Sequence, residues 1–263
     1  MQAPRECLDQ RDGIVTEPPR SQPLGFFTTP PHACGYLTGR RAVTLFVDPR
    51  MRPDIATYSM LSEHGFRRSG GHIYRPKCPS CDACVPIRVP VAEFEPRRAH
   101  RRNLRRNSDL SVHACEPIYD PRHFELYARY VTARHAGGGM ENPDPDSYMN
   151  FLTTNWATTT FYEIKNGPAL YAVAVVDHLE DALSAVYTFF DPEQHQRGLG
   201  RFAILQEIAI AQALGMKWLY LGYWIDACRK MAYKSEFSPH QCYLNGTWRS
   251  SPVTGSFSSA KND

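Results

Sequence analysis

The stretch that decides the fold runs from residue 158 to residue 225: TTTFYEIKNGPALYAVAVVDHLEDALSAVYTFF (158–190), then DPEQHQRGLGRFAILQEIAIAQALGMKWLYLGYWI (191–225). Three runs in it, Thr158 to Ile164, Ala169 to His178 and Ala182 to Phe190, are rich in β-branched and aromatic residues, which pack well on a pleated surface. Turn residues separate them, Lys165-Asn-Gly-Pro168 and Glu180-Asp181, so the three read as an antiparallel meander. A helix is expected from about Gly200 to Leu214, stopped by Gly215, and a last strand from Trp218 to Ile225. Strand, helix and strand in that order require a right-handed crossover, which sets the last strand parallel to the third.

Upstream, Asp120 is placed to cap a helix with Pro121 at its first position. Phe124, Tyr127, Ala128 and Val131 then fall on one face, and Gly137 to Gly139 ends it. A second helical stretch is expected from Asp146 to Trp156. Earlier still, Ala42 to Val47 reads as a strand closed by Asp48-Pro49, and Pro53 to His64 as a helix ending at Gly65, with loops and short strands filling the rest. The spacing becomes regular only after residues 107–118, which suggests a boundary there. The expected organisation is a disordered tail (1–21), a smaller cysteine-containing basic N-terminal domain (22–112), a C-terminal domain (113–244) and a second disordered tail (245–263). The fold class is α+β. The element order of the C-terminal part resembles the mixed sheet with flanking helices of the acetyltransferase superfamily, a scaffold that hosts many activities.

With 263 residues, 42% of them hydrophobic, the chain is long enough for a substantial core. No run approaches the roughly 18 apolar residues of a membrane span, and residues 1–22 lack the apolar stretch of a secretory signal. A cytoplasmic protein with no membrane or DNA partner is therefore expected. The net charge of +3 hides an asymmetry: residues 1–110 carry +7 and residues 111–263 carry −4. Eight cysteines without an export signal point to reduced thiols or metal ligands.

Four constellations carry chemistry. Asp191 to Gly200 joins a strand end to a helix start, and its glycines, Gly198 and Gly200, let backbone N–H groups approach an anion; the alternative is a plain strand-to-helix turn. An acyl-CoA site would place Arg or Gln where His195 stands. Cys78, Cys81 and Cys84, with Cys34 as a fourth, have the spacing of thiolate ligands to zinc or an iron–sulfur cluster, or else they are small packing residues. Arg97, Arg98, Arg101, Arg102, Arg105 and Arg106 form one basic helical face with no acid among them, which favours RNA phosphates over simple solvation. Finally Tyr220 to Lys234 runs off the last strand, carrying Tyr223, Lys230, Tyr233 and Lys234 to the carboxyl end of the sheet, where ligands bind. Lys230 and Lys234 there either neutralise an anion or are solvated.

The segments Cys34-Gly-Tyr-Leu-Thr-Gly-Arg40, Phe66-Arg-Arg-Ser-Gly70, Tyr74-Arg-Pro-Lys-Cys78, Cys84-Val-Pro-Ile-Arg88, Asp191-Pro192 and Lys230-Met-Ala-Tyr-Lys234 together resemble the bacterial aspartate/glutamate leucyltransferases, relatives of the arginyl-tRNA-protein transferases. The likeness spans about residues 24–244. It implies transfer of leucine from leucyl-tRNA to proteins with N-terminal Asp or Glu, which marks them for N-degron degradation. The reaction is aminolysis of an activated ester, so it needs a placed neutral amine, a proton acceptor and an oxyanion site. Under that resemblance Arg75 and Arg88, helped by His72 and Tyr74 and by Lys234, are candidates for the acceptor carboxylate. Asp191, Tyr223 or Tyr233 are candidates for the proton, and Arg197, Gly198, Gly200, Lys230 and the arginine face for the tRNA. Eukaryotic relatives hold an iron–sulfur cluster with a different cysteine spacing. Two rivals stay open: a CoA-dependent acetyltransferase, and a non-enzymatic zinc-ribbon RNA-binding module.

Overall fold

A computed structural model describes residues 24–134 and 143–250. The tail expected at 1–21, most of that expected at 245–263, and the stop at Gly137 to Gly139 lie outside these residues. In chain order the elements are β1 (Phe26–Thr28), β2 (His32–Ala33), β3 (Arg41–Ala42), β4 (Thr44–Val47), α1 (Ile55–Glu63), β5 (Arg67–Ser69), β6 (His72–Pro76), β7 (Val85–Pro90), α2 (Arg98–Arg106), β8 (Ser111–Cys115), α3 (Pro121–Arg134), α4 (Pro145–Leu152), β9 (Thr158–Asn166), β10 (Ala169–His178), β11 (Ala182–Phe190), α5 (Leu199–Ala213), β12 (Trp218–Trp224), α6 (Arg229–Ala232), β13 (Gln241–Leu244) and β14 (Thr247–Ser250).

Eight strands form a mixed sheet in the order β14-β13-β7-β12-β11-β10-β9-β8. The meander is present, β9 and β11 both pairing antiparallel with β10, and β12 lies parallel to β11 after the crossover through α5. Period-two alternation decides which side chain meets which helix. Ala172, Ala174 and Val176 of β10 pack with Phe202, Leu205 and Ile208 of α5. The intervening Val173 and Val175 pack with Leu126, Tyr127 and Val131 of α3 and with Tyr148 of α4. A central strand buried on both faces accounts for the near-continuous apolar run in the sequence.

The large sheet takes strands from both sides of residue 112. β7 lies between β13 and β12, and its prolines stand opposite Tyr223 and Trp218, where proline normally marks an edge. Residues 247–250 of the expected tail are a strand, because Trp248 covers the ring of Tyr220 at 5.7 Å. Ala42 to Val47 is split: β3 pairs with β2, whereas β4 belongs to a four-stranded sheet, β1-β4-β6-β5.

A buried ion pair fastens that small sheet to the large one. Arg68 of β5 forks onto the carboxylate of Asp177 in β10, both side chains fully buried. Tyr58 and Thr159 donate to the same carboxylate at 2.9 and 2.8 Å, and Arg68 also donates to the carbonyl of Leu152 at 2.9 Å. Every oxygen of the anion is satisfied, which is the condition for burying a charge.

Candidate active site

The sheet opens between its two parallel strands. β11 and β12 pair only where Ala182–Ser184 face Trp218–Tyr220, although β11 continues to Phe190 and β12 to Trp224. Beyond Tyr220 the β12 edge facing the gap has no strand partner among the described residues, while its other edge is held by β7. The neighbouring β5 sends the guanidinium of Arg67 into this gap. Its Nη2 donates to the carbonyls of Ala185 and Val186, at 2.5 and 3.4 Å. Gly222 makes the approach possible: a Cβ there would lie 2.0 Å from Nη1 of Arg67, and the backbone is left-handed with φ +83°.

Two further ionisable groups lie close enough to Arg67 for its charge to act on them. Lys234 lies in the short helical turn after α6, and its Nζ donates to the carbonyl of Tyr223 at 3.0 Å. Complete burial, with the Arg67 charge added, brings its pKa down to about 7. Glu207 of α5 is 1% exposed and neither carboxylate oxygen has a partner. Burial raises its pKa to about 8, against the pull of Arg67, so at neutral pH the protonated form dominates. The hydroxyl of Tyr187 is also buried without a partner.

The residues proposed from sequence distribute unevenly around this gap. Lys234 is at it. The phenol of Tyr223 is committed to the carbonyls of Gly65 and Tyr74 at 3.1 and 3.2 Å, and burial pushes its pKa well up, so it positions β12 and is no proton acceptor. Tyr74 packs its ring 6.1 Å from that of Tyr223. Tyr233 lies under the Arg201 guanidinium, its pKa raised to about 12 by burial. Asp191 ends β11 and is occupied in capping, accepting from the Glu193 N–H at 3.1 Å and facing Arg129 at 3.5 Å.

Arg88 does not reach the gap. Its guanidinium is stacked 3.6 Å from the ring centre of Trp218 and 4.3 Å from that of Trp248, with Nε and Nη2 on Gln241 and Nη1 on Tyr220. Arg75 turns outward, donating to the carbonyl of His64 over the ring of Phe66. His72 is exposed on a separate apolar cleft of about 450 Å³ with Phe27, Phe46 and Pro49. Lys230 donates to the carbonyl of Arg134 at 2.8 Å. Sequence reasoning passed over Arg67, quoted within a motif but given no role, and Glu207. The signal for Glu207 was present, since it is the one acid in the helix from 199 to 213.

All six arginines of 97–106 are exposed, while His100 and Asn103 turn inward. Arg98, Arg102 and Arg105 make no side-chain hydrogen bond or ion pair among the described residues, whereas Arg101 and Arg106 donate to the carbonyls of Pro96 and Gln196. Asn103 locks α2 to the start of α5, donating to the carbonyls of Arg197 and Gly198 at 3.0 and 3.2 Å. Between the two lies a polar cleft of about 400 Å³ lined by Arg102, Arg106, His195, Gly198 and Arg201. Gly198 enters α5 with φ +65°, and the side chain of Phe190 lies 3.3 Å from where a Cβ on Gly200 would stand. Arg197 itself is held by Asp109 in a two-pronged pair at 2.9 and 3.0 Å.

The cysteines from two loops gather near Tyr36 and Tyr74. The Sγ of Cys34 accepts the N–H groups of Tyr36 and Leu37 at 3.5 and 3.4 Å, and that of Cys78 accepts from Val43 at 3.5 Å. Burial, then the proximity of Cys34, Cys78 and Cys81, raises the pKa of the Cys84 thiol to about 12. Amide N–H groups aimed at sulfur suit thiolates, but these four sulfurs are not gathered within 4.8 Å of one another as the ligands of a single ion would be. A different trio, Cys115, His123 and Glu163, has its donor atoms within 4.8 Å of one another. There Glu163 is already neutralised by Lys165 at 2.8 Å and flanked by Arg122, so the trio is an ion-pair cluster.

Residues 32–102 match the family described as arginine-tRNA-protein transferase, N terminus, and residues 122–244 match its C-terminal counterpart. Among curated proteins, the aspartate/glutamate leucyltransferase of Pseudomonas fluorescens strain Pf0-1 is 48% identical over 225 residues, covering 86% of this chain and 96% of its own. The protein of the same name from Alcanivorax borkumensis is 49% identical over 226 residues, covering 86% and 93%. Among solved structures, FemX aligns over 75% of this chain and 79% of its own, with 9% identity and a TM-score of 0.42.

Proposed function

The chain belongs to the arginine-tRNA-protein transferase family, and from that premise we infer that it is an aminoacyltransferase that moves leucine from leucyl-tRNA to the N-terminal Asp or Glu of proteins. The observation that carries this reading is the match of both family halves in one chain, at 48% identity over almost the full length of relatives bearing that activity in their name. The product carries a new N-terminal leucine, which serves as a degradation signal. No helix among the described residues is long and apolar enough to cross a membrane, in keeping with the cytoplasm as the place of action.

The gap between β11 and β12 is the natural seat of the chemistry, in the manner of an acetyltransferase-like sheet. The leucyl ester is already activated, so no covalent enzyme intermediate is needed. Lys234 accepts the proton lost by the attacking α-amine: a lysine with a pKa of about 7 is substantially neutral at working pH. The unpaired β12 edge beyond Tyr220 supplies backbone donors for the oxyanion. The open face of α2 and the cleft it shares with the start of α5 hold the tRNA, with Arg98, Arg102 and Arg105 as its uncommitted cations. Arg197, Gly198 and Gly200 shape that cleft, and Lys230 and Asp191 stabilise its surroundings. Tyr74 backs β12 through its contact with Tyr223, whereas His72 and Arg75 lie outside the gap. Residues from both sides of position 112 build the sheet and the groups around it.

For Cys34, Cys78, Cys81 and Cys84 to hold a zinc ion or an iron–sulfur cluster, their loops beside Tyr36 and Tyr74 would have to draw the sulfurs together. The test of the function is transfer of labelled leucine, and separately arginine, from charged tRNA to peptides beginning with Asp, Glu or Ala, with acetyl-CoA as a parallel donor. Leucine on Asp and Glu peptides alone is expected. Transfer only from acetyl-CoA would refute the tRNA donor, and RNA binding without any transfer would favour a binding module.

A further inference from the structure

We propose that Arg67 is the residue that reads the acceptor, binding the side-chain carboxylate of its N-terminal Asp or Glu through Nη1 in the gap between β11 and β12. The inference rests on the leucyl-transfer reading above and deepens it.

The starting point is a charge without a partner. Nη1 of Arg67 is buried and makes no hydrogen bond, while Nη2 is held by two neutral carbonyls, those of Ala185 and Val186. Arg67 as a whole is part-buried, but an enclosed guanidinium nitrogen with unfilled donors is costly unless an anion completes it. Among the described residues none does. Glu207, the acid whose charge Arg67 most affects, makes no hydrogen bond to it and has both oxygens unpartnered. Neighbouring Arg68 shows the contrast, since its fork is filled by Asp177. Lys234 lies close enough for the Arg67 charge to act on it, which places the fork beside the proposed proton acceptor.

The substrates differ in what they bring. In the donor the leucine carboxyl is consumed in the ester and its α-amine is cationic, so near the reacting carbonyl the donor carries no carboxylate. The acceptor carries one on the side chain of the very residue whose α-amine attacks, one or two methylenes away. A planar fork fixed at two carbonyls of the opening, beside the lysine that takes the amine's proton, holds that carboxylate while leaving the amine free. An Asn or Gln amide offers only a neutral carbonyl oxygen to Nη1, so it forgoes the charge-assisted part of the bond. Selection of Asp and Glu over their amides follows from this contact. Gly222 belongs to the same device, since any side chain there would fill the seat of Nη1.

The test compares wild type with Arg67→Gln and Arg67→Lys, using leucyl-tRNA and peptides that begin with Asp, Glu or Asn. Arg67→Gln is expected to raise KM for the Asp peptide by about tenfold or more, to leave KM for leucyl-tRNA within about twofold, and to cut the Asp-over-Asn preference by at least about tenfold. Arg67→Lys, which keeps the charge without the fork, should keep most of the preference with a raised KM. An unchanged Asp-over-Asn ratio in folded Arg67→Gln overturns the proposal. Wild-type protein that transfers no leucine to any acceptor would overturn the underlying function instead. Should the substituted chains not fold, a crystal structure of wild type soaked with an aspartyl dipeptide decides: a carboxylate within hydrogen-bond distance of Nη1 supports the assignment, and one bound elsewhere, or none, overturns it.

Discussion

Replacing Gly222 by alanine tests the geometry of the strand opening without touching a charged residue. The added Cβ would stand 2.0 Å from Nη1 and 2.7 Å from Cζ of Arg67, far inside van der Waals contact, so the guanidinium must leave its position. The backbone adds a cost of its own: at φ +83° an L-residue pays about 1–2 kcal/mol for left-handed conformation. Overpacking a filled interior adds about 1–3 kcal/mol. Together these give about 2–5 kcal/mol of destabilisation, or roughly 5–15 °C in Tm for a chain of this size. Displacement of the fork removes a charge-assisted hydrogen bond worth about 1.5–3 kcal/mol, which corresponds to a rise of about 10- to 100-fold in KM for an Asp-starting peptide.

The assay pairs urea denaturation with steady-state transfer from leucyl-tRNA at a temperature where Gly222→Ala stays folded. KM for leucyl-tRNA should move little, because the surface proposed for the tRNA is α2 and the turn before α5, away from Gly222. The combination to look for is a destabilised chain with an acceptor-specific defect. Wild-type stability together with wild-type acceptor KM would refute the placement of Arg67 against Gly222, and an equal loss for both substrates would refute the assignment of this seat to the acceptor.

Three further outcomes are expected. The kcat of the wild type should rise with pH through about 7, because the neutral amine of Lys234 is the form proposed to accept the proton. In Lys234→Met, kcat should fall by about 10²–10⁴-fold and the inflection should move to about 8, the range of the acceptor's own α-amino group; an unmoved inflection would rule Lys234 out as the base. Glu207 holds its proton to about pH 8 in the folded chain, so between about pH 4.5 and 8 the folded state binds more protons than the unfolded one. Stability should therefore fall as pH rises across that window, and Glu207→Gln should abolish a fall on the order of a few kcal/mol, read as pH-dependent Tm. Converting Arg98, Arg102 and Arg105 to Gln should weaken tRNA binding and flatten its log–log salt dependence by about 0.7–0.9 for each phosphate left unneutralised, as fluorescence anisotropy would show; an unchanged slope would detach α2 from the tRNA.

What was legible in the sequence follows the range of the interactions that build each part. The meander, α3 and α5 are set by local periodicity and turn residues, so Ala182 to Phe190 was bounded correctly by its composition alone. β7 was not, because Pro86 and Pro90 mark an edge by local rules and only the partners supplied by β12 and β13, more than 100 residues on, make the run a strand. The same division separates two arginines, Arg88 and Arg67. Arg88, in a motif with good reason to suspect a carboxylate, is consumed by Trp218 and Trp248, which stand 130 and 160 positions away. Arg67 has an adjacent twin in Arg68, and sequence cannot tell them apart. The alternation of a β-strand does: side chains of consecutive residues leave opposite faces, so Arg68 goes to Asp177 and fastens two sheets, while Arg67 is delivered to the opening between β11 and β12. A functional cation and a structural one thus differ by a single step along β5, and the difference lies in what each face meets.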